Sequence, residues 1–382
     1  MKYTTIGEIN EYRSESINPL LEPDTVFEVY SVPIYDTGHP EYLSGKEIGS
    51  TKQIVQKDDI LLCKINPRIS RVWIVSDESE QRNIASTEWI VIRNHSYNPQ
   101  YLAWYFRSEV FKSLMVSEVT GIGGSLTRAQ PKRVATYPVP VLDRHEQDGV
   151  VERLNRLHSV IQYRMMQLQK MDELIKARFV EMFGDVIHNT MGWPHFVFSD
   201  IASSRLGKML DAKQQSGKYQ FPYLANFNVQ WFRFVLSNLN KMDFDEDDQA
   251  EFELKDGDLI VCEGGEIGRC AIWHNEIQSC YFQKALHRVR CNTDIVIPEY
   301  LARWFQFNCE HGGFAAIEGA KATIAHLPGA KLKALEVAVP SIDLQNEFAA
   351  FVSQVNKSKL SIQASLDQLE TLKQSLMQKY FG

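Results

Sequence analysis

The sequence lacks long apolar runs and a secretion signal. No stretch approaches the ~18 consecutive apolar residues that a membrane-spanning helix needs. The opening residues, MKYTTIGEIN, show neither a basic start nor an apolar core. We therefore expect a cytoplasmic protein with no membrane partner. Apolar residues make up 44% of the chain and charged residues 23%, a composition that is typical of folded proteins and excludes global disorder.

Closely spaced cysteine pairs are also absent. The sequence has six cysteines and no C-x-x-C pair; they are Cys63, Cys262, Cys270, Cys280, Cys291 and Cys309. Structural zinc sites use tightly spaced ligand pairs, so we predict buried, reduced thiols and no metal. The proximity of Cys309 to His311 is the one arrangement that leaves a zinc site as an alternative.

The chain has no net positive charge. The formal net charge is −7, which argues weakly against a protein that binds DNA alone, because phosphate contacts rely on Lys and Arg. It does not argue against a DNA reader within a larger complex, where other subunits supply positive charge. Segments 64–71 and 131–134 are locally basic. The acidic run 243–248 is interpreted as a solvated loop.

Two segments of the chain repeat each other. An offset of 198 residues separates Gln147 from Gln345, and each Gln is followed 36 residues later by Phe-Gly, at Phe183 and Phe381. Between these ends the apolar positions superimpose at spacings of three and four, which is one stripe of an α-helix. The matched pairs are Val150 and Phe348, Leu154 and Val352, Leu157 and Val355, Leu168 and Leu366, Met171 and Leu369, Leu174 and Leu372, Phe179 and Met377, and Phe183 and Phe381.

Neither segment contains Pro, so the pattern predicts two helices of about 35–40 residues, each roughly 50–60 Å long. Single helices of that length with one apolar stripe need a partner, and the simplest partner is the other copy.

The regions between these helices also repeat. Segment 56–75 parallels 254–273, with Asp59 matching Asp258, Cys63 matching Cys262 and Arg71 matching Arg269. NPQYLAWYF (98–106) parallels IPEYLARWF (297–305), and YPVPVL (137–142) parallels VAVPSI (337–342). We predict the same order twice: strands, a short helix, a loop, a strand and a long helix. Two related modules in one chain favour a protein that reads two different DNA half-sites.

This pattern resembles the specificity subunit of Type I restriction–modification systems. The resemblance rests on the two Gln…Phe-Gly helices, on ARFVEMFGD (177–185) and on Trp193-Pro194. It also rests on FPYLANFNVQWFRF (221–234) and DGDLIVCEGGEIGRC (256–270). It covers essentially the whole chain, although the first globule has no Trp-led opening, and NPRI replaces the glycine-rich tip of EGGEIG.

The resemblance implies an α+β fold in which two similar target-recognition domains of mixed strands and short helices are separated by two long helices. These helices would form an antiparallel coiled coil, and the whole would be a pseudo-two-fold tandem repeat. The expected boundaries are 1–142 for the first recognition domain, 143–185 for the central helix, 186–342 for the second recognition domain and 343–382 for the C-terminal helix.

The implied function is recognition of a bipartite, asymmetric site on double-stranded DNA. Two methyltransferase subunits would bind the helices, and motor–nuclease subunits would complete the restriction complex. Methyl donor, ATP and magnesium would belong to those partners, so we expect this chain to hold no cofactor and no active site.

The sequence shows no catalytic motif. The Asn-Pro sites at residues 18, 66 and 98 continue with Leu, Arg and Gln, so none forms the Asn-Pro-Pro-aromatic loop that would hold a flipped adenine. No G-x-x-x-x-G-K-[ST] phosphate loop is present.

Candidate DNA contacts are side chains that suit bases or phosphates on turns and strand tips. In the first domain they are Lys64, Asn66, Arg68, Arg71, Ser125, Thr127, Arg128, Lys132 and Arg133. The alternative is that these are ordinary solvated residues of a hairpin.

The aromatic pairs Trp104–Tyr105 and Trp304–Phe305 are predicted to lie in the core, because they recur at matched positions on predicted helices.

In the second domain the candidates are Asn226, Asn228, Gln230, Arg233, Gly264, Gly265, Arg269, Lys321, Thr323 and His326. For the stretch from Asn226 to Arg233 the alternative is an ordinary strand, with Phe227, Val229 and Trp231 in the core and the amides in water. The glycines either permit close approach to DNA or only form the turn.

Two other classes of function stay open. One is an enzyme whose nuclease or methyltransferase site is not recognisable in the sequence, and the other is a structural adaptor whose two globules bind proteins.

Overall fold

The computed structural model describes residues 2–76, 78–117, 127–210, 216–315 and 326–382. The chain forms two compact units: Met1–Met165 with Ala364–Gly382, and Met166–Gln363. The two long helices, Arg144–Phe183 and Ile342–Phe381, have 40 residues each, so each unit contains part of both.

The described residues of unit 1 form ten strands: β1 Lys2–Thr5, β2 Ser16–Ile17, β3 Val26–Tyr30, β4 Glu41–Ser44, β5 Lys52–Ile54, β6 Ile60–Cys63, β7 Val72–Ile74, β8 Arg82–Ser86, β9 Trp89–Ile92 and β10 Pro138–Val141. They form a five-stranded sheet in the order β2-β5-β8-β3-β4, a three-stranded sheet β7-β6-β9 and the pair β1-β10. The shorter helices are Ile6–Ile9, Pro99–Phe106, Glu109–Ser117 and Pro131–Val134, with 3₁₀ turns Pro19–Leu21, Tyr35–Thr37, Gly45–Glu47 and Pro67–Ile69.

Unit 2 contains eleven strands in its described part: β11 His195–Val197, β12 Ala202–Leu206, β13 Gln220–Leu224, β14 Val229–Gln230, β15 Arg233–Phe234, β16 Asn240–Asp243, β17 Leu259–Cys262, β18 Cys270–Ile272, β19 Tyr281–Phe282, β20 Leu286–Cys291 and β21 Glu336–Ala338. The sheets are β12-β20-β17-β18, β16-β13-β19, β14-β15 and β11-β21. The shorter helices are Phe198–Ile201, Glu246–Phe252, Pro298–Glu310 and Gly329–Lys333, with a 3₁₀ turn Asn226–Asn228.

The long helices form because their sequences contain no Pro and bury one apolar stripe. The first ends at Gly184, whose positive φ of 71° suits glycine. In unit 2 Phe179 packs against Phe348, with ring centroids 5.5 Å apart. Most of the predicted stripe is buried or half-buried, but Leu174 and Leu372 are 50% and 49% exposed. For that pair the prediction of a packed stripe was wrong.

Within unit 2 the two helix segments run antiparallel. Lys359 Nζ lies 2.5 Å from Asp172 Oδ1, and Arg178 Nη2 lies 2.9 Å from Glu347 Oε1. Residue numbers rise along one segment as they fall along the other.

The predicted internal repeat is visible in the hydrogen bonds. The Gln147 side chain accepts from Asn98 N at 2.8 Å and donates to Leu142 O at 2.8 Å. Gln345 accepts from Ile297 N at 3.0 Å and donates to Pro340 O at 2.9 Å. Each glutamine thus joins the start of a long helix to the start of the short helix that begins at Pro99 or Pro298.

A second repeated element is a buried carboxylate. Asp59 accepts two bonds from Arg93, both 2.7 Å, and one from Gln56 N. Asp258 accepts two bonds from Arg290, at 2.6 and 3.1 Å, and one from Lys255 N. Because a buried charge must be paired and hydrogen-bonded, these aspartates belong to the framework of both units.

The acidic run 243–248 is not a solvated loop, so that interpretation was wrong. Asp243 ends β16 and is buried, while Asp245 caps helix Glu246–Phe252 through a capping box with Asp248. Burial opposes ionisation of Asp243, but bonds from Gln220, Ser216, Gly217 and Tyr219 outweigh it and lower its pKa to about 2.

The aromatic residues predicted to be core are buried. Trp104, Tyr105, Trp304 and Phe305 lie in the apolar clusters around the short helices. None of the helices in the described part of the chain is long and apolar enough to cross a membrane.

Candidate nucleic-acid interface

In unit 1 the fold brings two predicted stretches together at the tip of the β6–β7 hairpin. Asn66 N donates to Thr127 O and Ala129 N donates to Lys64 O, both at 2.8 Å. Lys64 N also donates to Glu88 O at 3.1 Å. Residues far apart in the sequence therefore share one surface, which we call the unit 1 tip: residues 64–71, 87–88 and 127–133.

Two cations of the unit 1 tip, Lys64 and Arg128, share the carboxylate of Glu88. Glu88 lies 3.1 Å from Arg128 Nη2 and 3.8 Å from Lys64 Nζ, and Lys64 Nζ donates to Thr87 O at 2.6 Å. Glu88 thus offsets part of the positive charge and orients both cations. Sequence reasoning missed Glu88, which lies on a different segment from either predicted stretch.

Within the hairpin loop, Asn66 and Ser70 adopt left-handed backbone conformations, with φ of 47° and 45°. They flank the 3₁₀ turn Pro67–Ile69, which leaves the side chain of Arg68 exposed. Arg68 forms no hydrogen bond or ion pair with the parts of the chain that the structure describes. It is an exposed forked donor of this tip.

Other predicted residues of unit 1 differ in accessibility. Arg71 is half-buried beside the Cys63 thiol. Burial raises the pKa of this thiol, and the positive charge of Arg71 opposes that rise. Lys132 and Arg133 lie on the exposed side of helix Pro131–Val134. Thr127 is only 9% exposed, which makes it less accessible than Lys132 and Arg133; its selection as a site residue stays a prediction. Ser125 lies outside the described residues.

Unit 2 repeats the junction at the tip of the β17–β18 hairpin. Leu327 N donates to Glu263 O at 2.6 Å and Glu263 N donates to Ala285 O at 3.0 Å, while Gly264 bridges to His326. We call residues 226–230, 233, 263–269 and 326 the unit 2 tip; Arg233 pairs with Gln230 across β14 and β15. His326 is exposed there; Lys321 and Thr323 lie outside the described residues.

Two predicted base readers of unit 2 bind each other instead. Arg269 Nη2 donates to Asn226 Oδ1 at 2.7 Å and to Asn226 O at 3.2 Å, and Asn226 Nδ2 donates to Gly264 O at 2.7 Å. Glu266 lies 3.4 Å from Arg269 Nη1. Because these groups are paired with each other, Arg269 and Asn226 hold the loop in shape; their selection as DNA contacts stays a prediction.

Asn228 was predicted to contact DNA but lies in the interior of unit 2. Its side chain is fully buried, accepts from Ala225 N at 2.8 Å and donates to Val235 O at 2.9 Å. The alternative of an ordinary strand with wet amides was wrong as well, because Asn226–Asn228 is a 3₁₀ turn and Phe227 is exposed.

The remaining candidates of unit 2 are more accessible. Gln230 is half-buried and donates to Phe227 O at 3.0 Å, while Arg233 is exposed on β15. Gly265 has a positive φ of 79°, and a Cβ there would meet only Asn226 Oδ1, at 3.9 Å. The turn therefore requires glycine at 265 for its backbone conformation rather than for lack of space.

No group of three or more His, Cys, Asp or Glu side chains suited to a metal occurs within the described ranges. Cys63, Cys262, Cys270 and Cys280 are buried free thiols, whereas Cys291 and Cys309 are partly exposed. Burial raises the pKa of Cys262 to about 11, so this thiol is protonated at neutral pH.

The comparisons with known proteins agree with this arrangement. The family model described as "Type I restriction modification DNA specificity domain" matches residues 191–371. No curated protein matches the chain.

Two solved structures have the same fold over the whole chain. A chain from work on complex assembly and conformational transition of the type I R-M system has a TM-score of 0.64 and 16% identity. The match covers 100% of this chain and 97% of that one. The S subunit of the Type I restriction–modification system from M. genitalium has a TM-score of 0.55 and 11% identity, covering 100% and 96%. Residues 191–371 thus belong to the Type I restriction modification DNA specificity domain family, and the resemblance of the chain to specificity subunits of these systems is confirmed.

Proposed function

We propose that this chain reads a bipartite, asymmetric sequence on double-stranded DNA for a Type I restriction–modification complex, with one tip for each half-site. The observation that carries the proposal is the duplicated junction. The same backbone bonds hold Lys64, Glu88 and Ala129 in unit 1 and Glu263, Ala285 and Leu327 in unit 2. The side chains around the two junctions differ, and two similar modules with different tips suit two different half-sites.

The recognition modules correspond to residues 1–142 and 186–342, and the helices of 143–185 and 343–382 form an antiparallel coiled-coil spacer between them. The antiparallel segments of unit 2, with their pairs Lys359–Asp172 and Arg178–Glu347, support this spacer. Spacer length would then set the number of unread base pairs between the half-sites.

The helices also bind two methyltransferase subunits, to which motor–nuclease subunits are added. Two identical partners need two similar surfaces, and Leu174 and Leu372 supply one feature of such surfaces. They occupy the same position in the repeat and are exposed to nearly the same degree. Exposed leucines at repeat-related sites suit contact with an apolar partner surface.

The chain itself contributes binding and no chemistry. Arg68 and Arg233 are exposed forked donors, suited to guanine in the major groove or to phosphate. Lys64, Arg128, Lys132 and Arg133 belong to the unit 1 tip and His326 to the unit 2 tip, and all five suit phosphate contacts. The overall charge of −7 means that much of the attraction for DNA must come from the partner subunits.

The test is the adenine methylation pattern of cells that express the chain with its cognate methyltransferase subunit. We expect a split, asymmetric motif that disappears when the chain is omitted. Exchange of residues 186–342 for those of another family member should change one half-site only. A motif that is continuous, or the same without the chain, would contradict the proposal and favour the structural adaptor.

A sharper test uses matched arginines. Arg68→Ala should relax or weaken one half-site by about 1–3 kcal/mol if the guanidinium contacts a base, and Arg233→Ala should do the same at the other. Arg13→Ala, which removes an exposed arginine outside both tips, is the control and should leave the motif unchanged. DNA cleavage or methylation by the purified chain alone would favour an enzyme instead.

A further inference from the structure

Phe227 is exposed, whereas the other described phenylalanines are buried or half-buried. Its side chain is 57% exposed, and it is the only phenylalanine among the exposed large apolar residues of the described chain. Burial of a phenylalanine side chain contributes about 1.5–3 kcal/mol. At this position the fold therefore forgoes a stabilising contact, although β13 and β14, which flank the turn, carry buried apolar residues.

The backbone around Phe227 is fixed on both sides. Asn226 is held by Gly264 and Arg269, and Asn228 by Ala225 N and Val235 O. Gln230 donates to the Phe227 carbonyl. The aromatic ring is thus the part of the turn that is left for an external contact, and it is presented on a preorganised support.

Two polar side chains of this region, Arg269 and Trp231, are bound within unit 2. Arg269 is bound to Asn226 and Glu266, and the Trp231 indole donates to Glu266 Oε1 at 2.8 Å. On the edge of a base pair in the major groove, the apolar group is the C5-methyl of thymine, which apolar side chains contact. The exposed ring therefore matches thymine rather than a base edge that offers only donors and acceptors.

Unit 1 presents an apolar side chain at its own tip by a different route. Its 3₁₀ turn, Pro67–Ile69, is inserted in the hairpin loop itself, and Ile69 is 54% exposed. Asn66 and Ser70, both with left-handed backbone, enclose the turn. Two unrelated segments thus end in the same result, which is one exposed apolar side chain on a short turn at the tip of the repeated hairpin.

We propose that Phe227 contacts a thymine methyl group in the half-site read by unit 2, and that Ile69 has the corresponding role in unit 1. The proposal rests on the proposed DNA-reading function and adds a specificity-determining residue to each tip. Each contact discriminates thymine from cytosine and from uracil at one position of its half-site.

The experiment uses the chain assembled with its methyltransferase subunit and duplexes that carry the motif. Each thymine is replaced in turn by uracil, which removes only the methyl group. For the wild-type chain, one replacement in the half-site of unit 2 should lower affinity about three- to fivefold, the value of one buried methyl group. Phe227→Ala should bind the thymine and uracil duplexes equally, and Phe227→Leu should retain part of the difference.

Val197→Ala is the control, because it shortens an exposed apolar side chain of unit 2 on another sheet. It should keep the full thymine preference, and thermal unfolding should show that all variants are folded. Ile69→Ala should remove the thymine preference in the other half-site only.

If the wild-type complex methylates a split motif but uracil has no effect at any position of the unit 2 half-site, this inference is wrong while the proposed function stands. The same holds if Phe227→Ala keeps the thymine preference. If no motif depends on the chain, the proposed function itself fails.

Discussion

The two units share a framework and differ at their tips. In both, a buried aspartate pairs with an arginine, which is Arg93 just after β9 for Asp59 and Arg290 within β20 for Asp258. At the tips, Glu88 of unit 1 pairs with two cations, whereas unit 2 places Arg269 against Asn226. The framework bonds use backbone groups and buried side chains, so the exposed tip residues can differ without loss of the fold.

The largest effect should follow from removal of a framework carboxylate. Asp59→Ala leaves Arg93 partly buried without its partner and Gln56 N without an acceptor, which should cost about 3 kcal/mol, the low end for a broken buried pair. Asp258→Ala should cost less, because the Arg290 side chain is 37% exposed against 21% for Arg93. Urea unfolding measures both changes.

Asp256→Ala is the control for this comparison, since Asp256 is exposed and pairs only with exposed His274. It should change the free energy of unfolding by under about 1 kcal/mol. Equal costs at Asp59 and Asp258 would mean that the exposure of the arginine does not decide the difference.

A smaller effect is expected at the helix-start glutamines. Gln345→Ala removes bonds to Ile297 N, Ile295 O and Pro340 O, and Gln147→Ala removes bonds to Asn98 N and Leu142 O. Because water can occupy the space that the neutral side chain leaves, each lost bond should cost the low end of its net value, about 0.5 kcal/mol. Both variants should therefore lose less stability than Asp59→Ala, and the Gln345 variant should be the less stable of the two. Hydrogen exchange at residues 297 and 98 should report the loss locally.

Acid should destabilise the part of unit 2 that contains Asp243. The pKa of Asp243 is lowered to about 2, so ionised Asp243 stabilises the fold above its ordinary pKa of about 3.9. That contribution is lost as the pH falls through this window towards 2. The protection of the β13 and β16 amides, which is the exchange rate corrected for its intrinsic dependence on pH, should therefore fall between pH 4 and 2.

Asp243→Asn tests whether protonation of Asp243 causes the acid sensitivity of β13 and β16. The variant should be less stable than the wild type at neutral pH, and its exchange in β13 and β16 should depend less on pH below 4. A pH dependence as steep as that of the wild type would assign the acid sensitivity to other carboxylates.

The smallest effect concerns the exposed ion pairs of the helices. Lys359→Ala removes the contact with Asp172, which is half exposed, and should cost under about 1 kcal/mol. High salt should abolish the difference from the wild type, because salt screens exposed charges. A larger cost that salt leaves unchanged would show that Lys359 stabilises the helix segment by packing.

Much of the fold could be predicted because its signals are local. The long helices follow from spacings of three and four without proline, and the repeat follows from matched blocks in one order. Leu174 and Leu372 were predicted wrongly because periodicity marks a helix face without showing whether a partner segment covers each position.

The candidate sites were predicted less well. Segments 64–71 and 263–269 do form hairpin tips, and Thr127–Arg128 and His326 do lie against them. Asn228, Asn226, Arg269 and Thr127 were chosen by residue type, which gives hydrogen-bonding capacity and not its use.

The sequence by itself determined the two long helices, the duplicated order of elements and the absence of recognisable catalytic motifs. Only the tertiary structure decided which polar side chains hold the tips together and which side chains are left exposed. The physical reason is that distant segments of the chain decide which donors and acceptors are already bound and how they are held. Residue type leaves open whether Arg269 meets Asn226 and whether Phe227 faces water; the packing of segments far apart in the chain settles both.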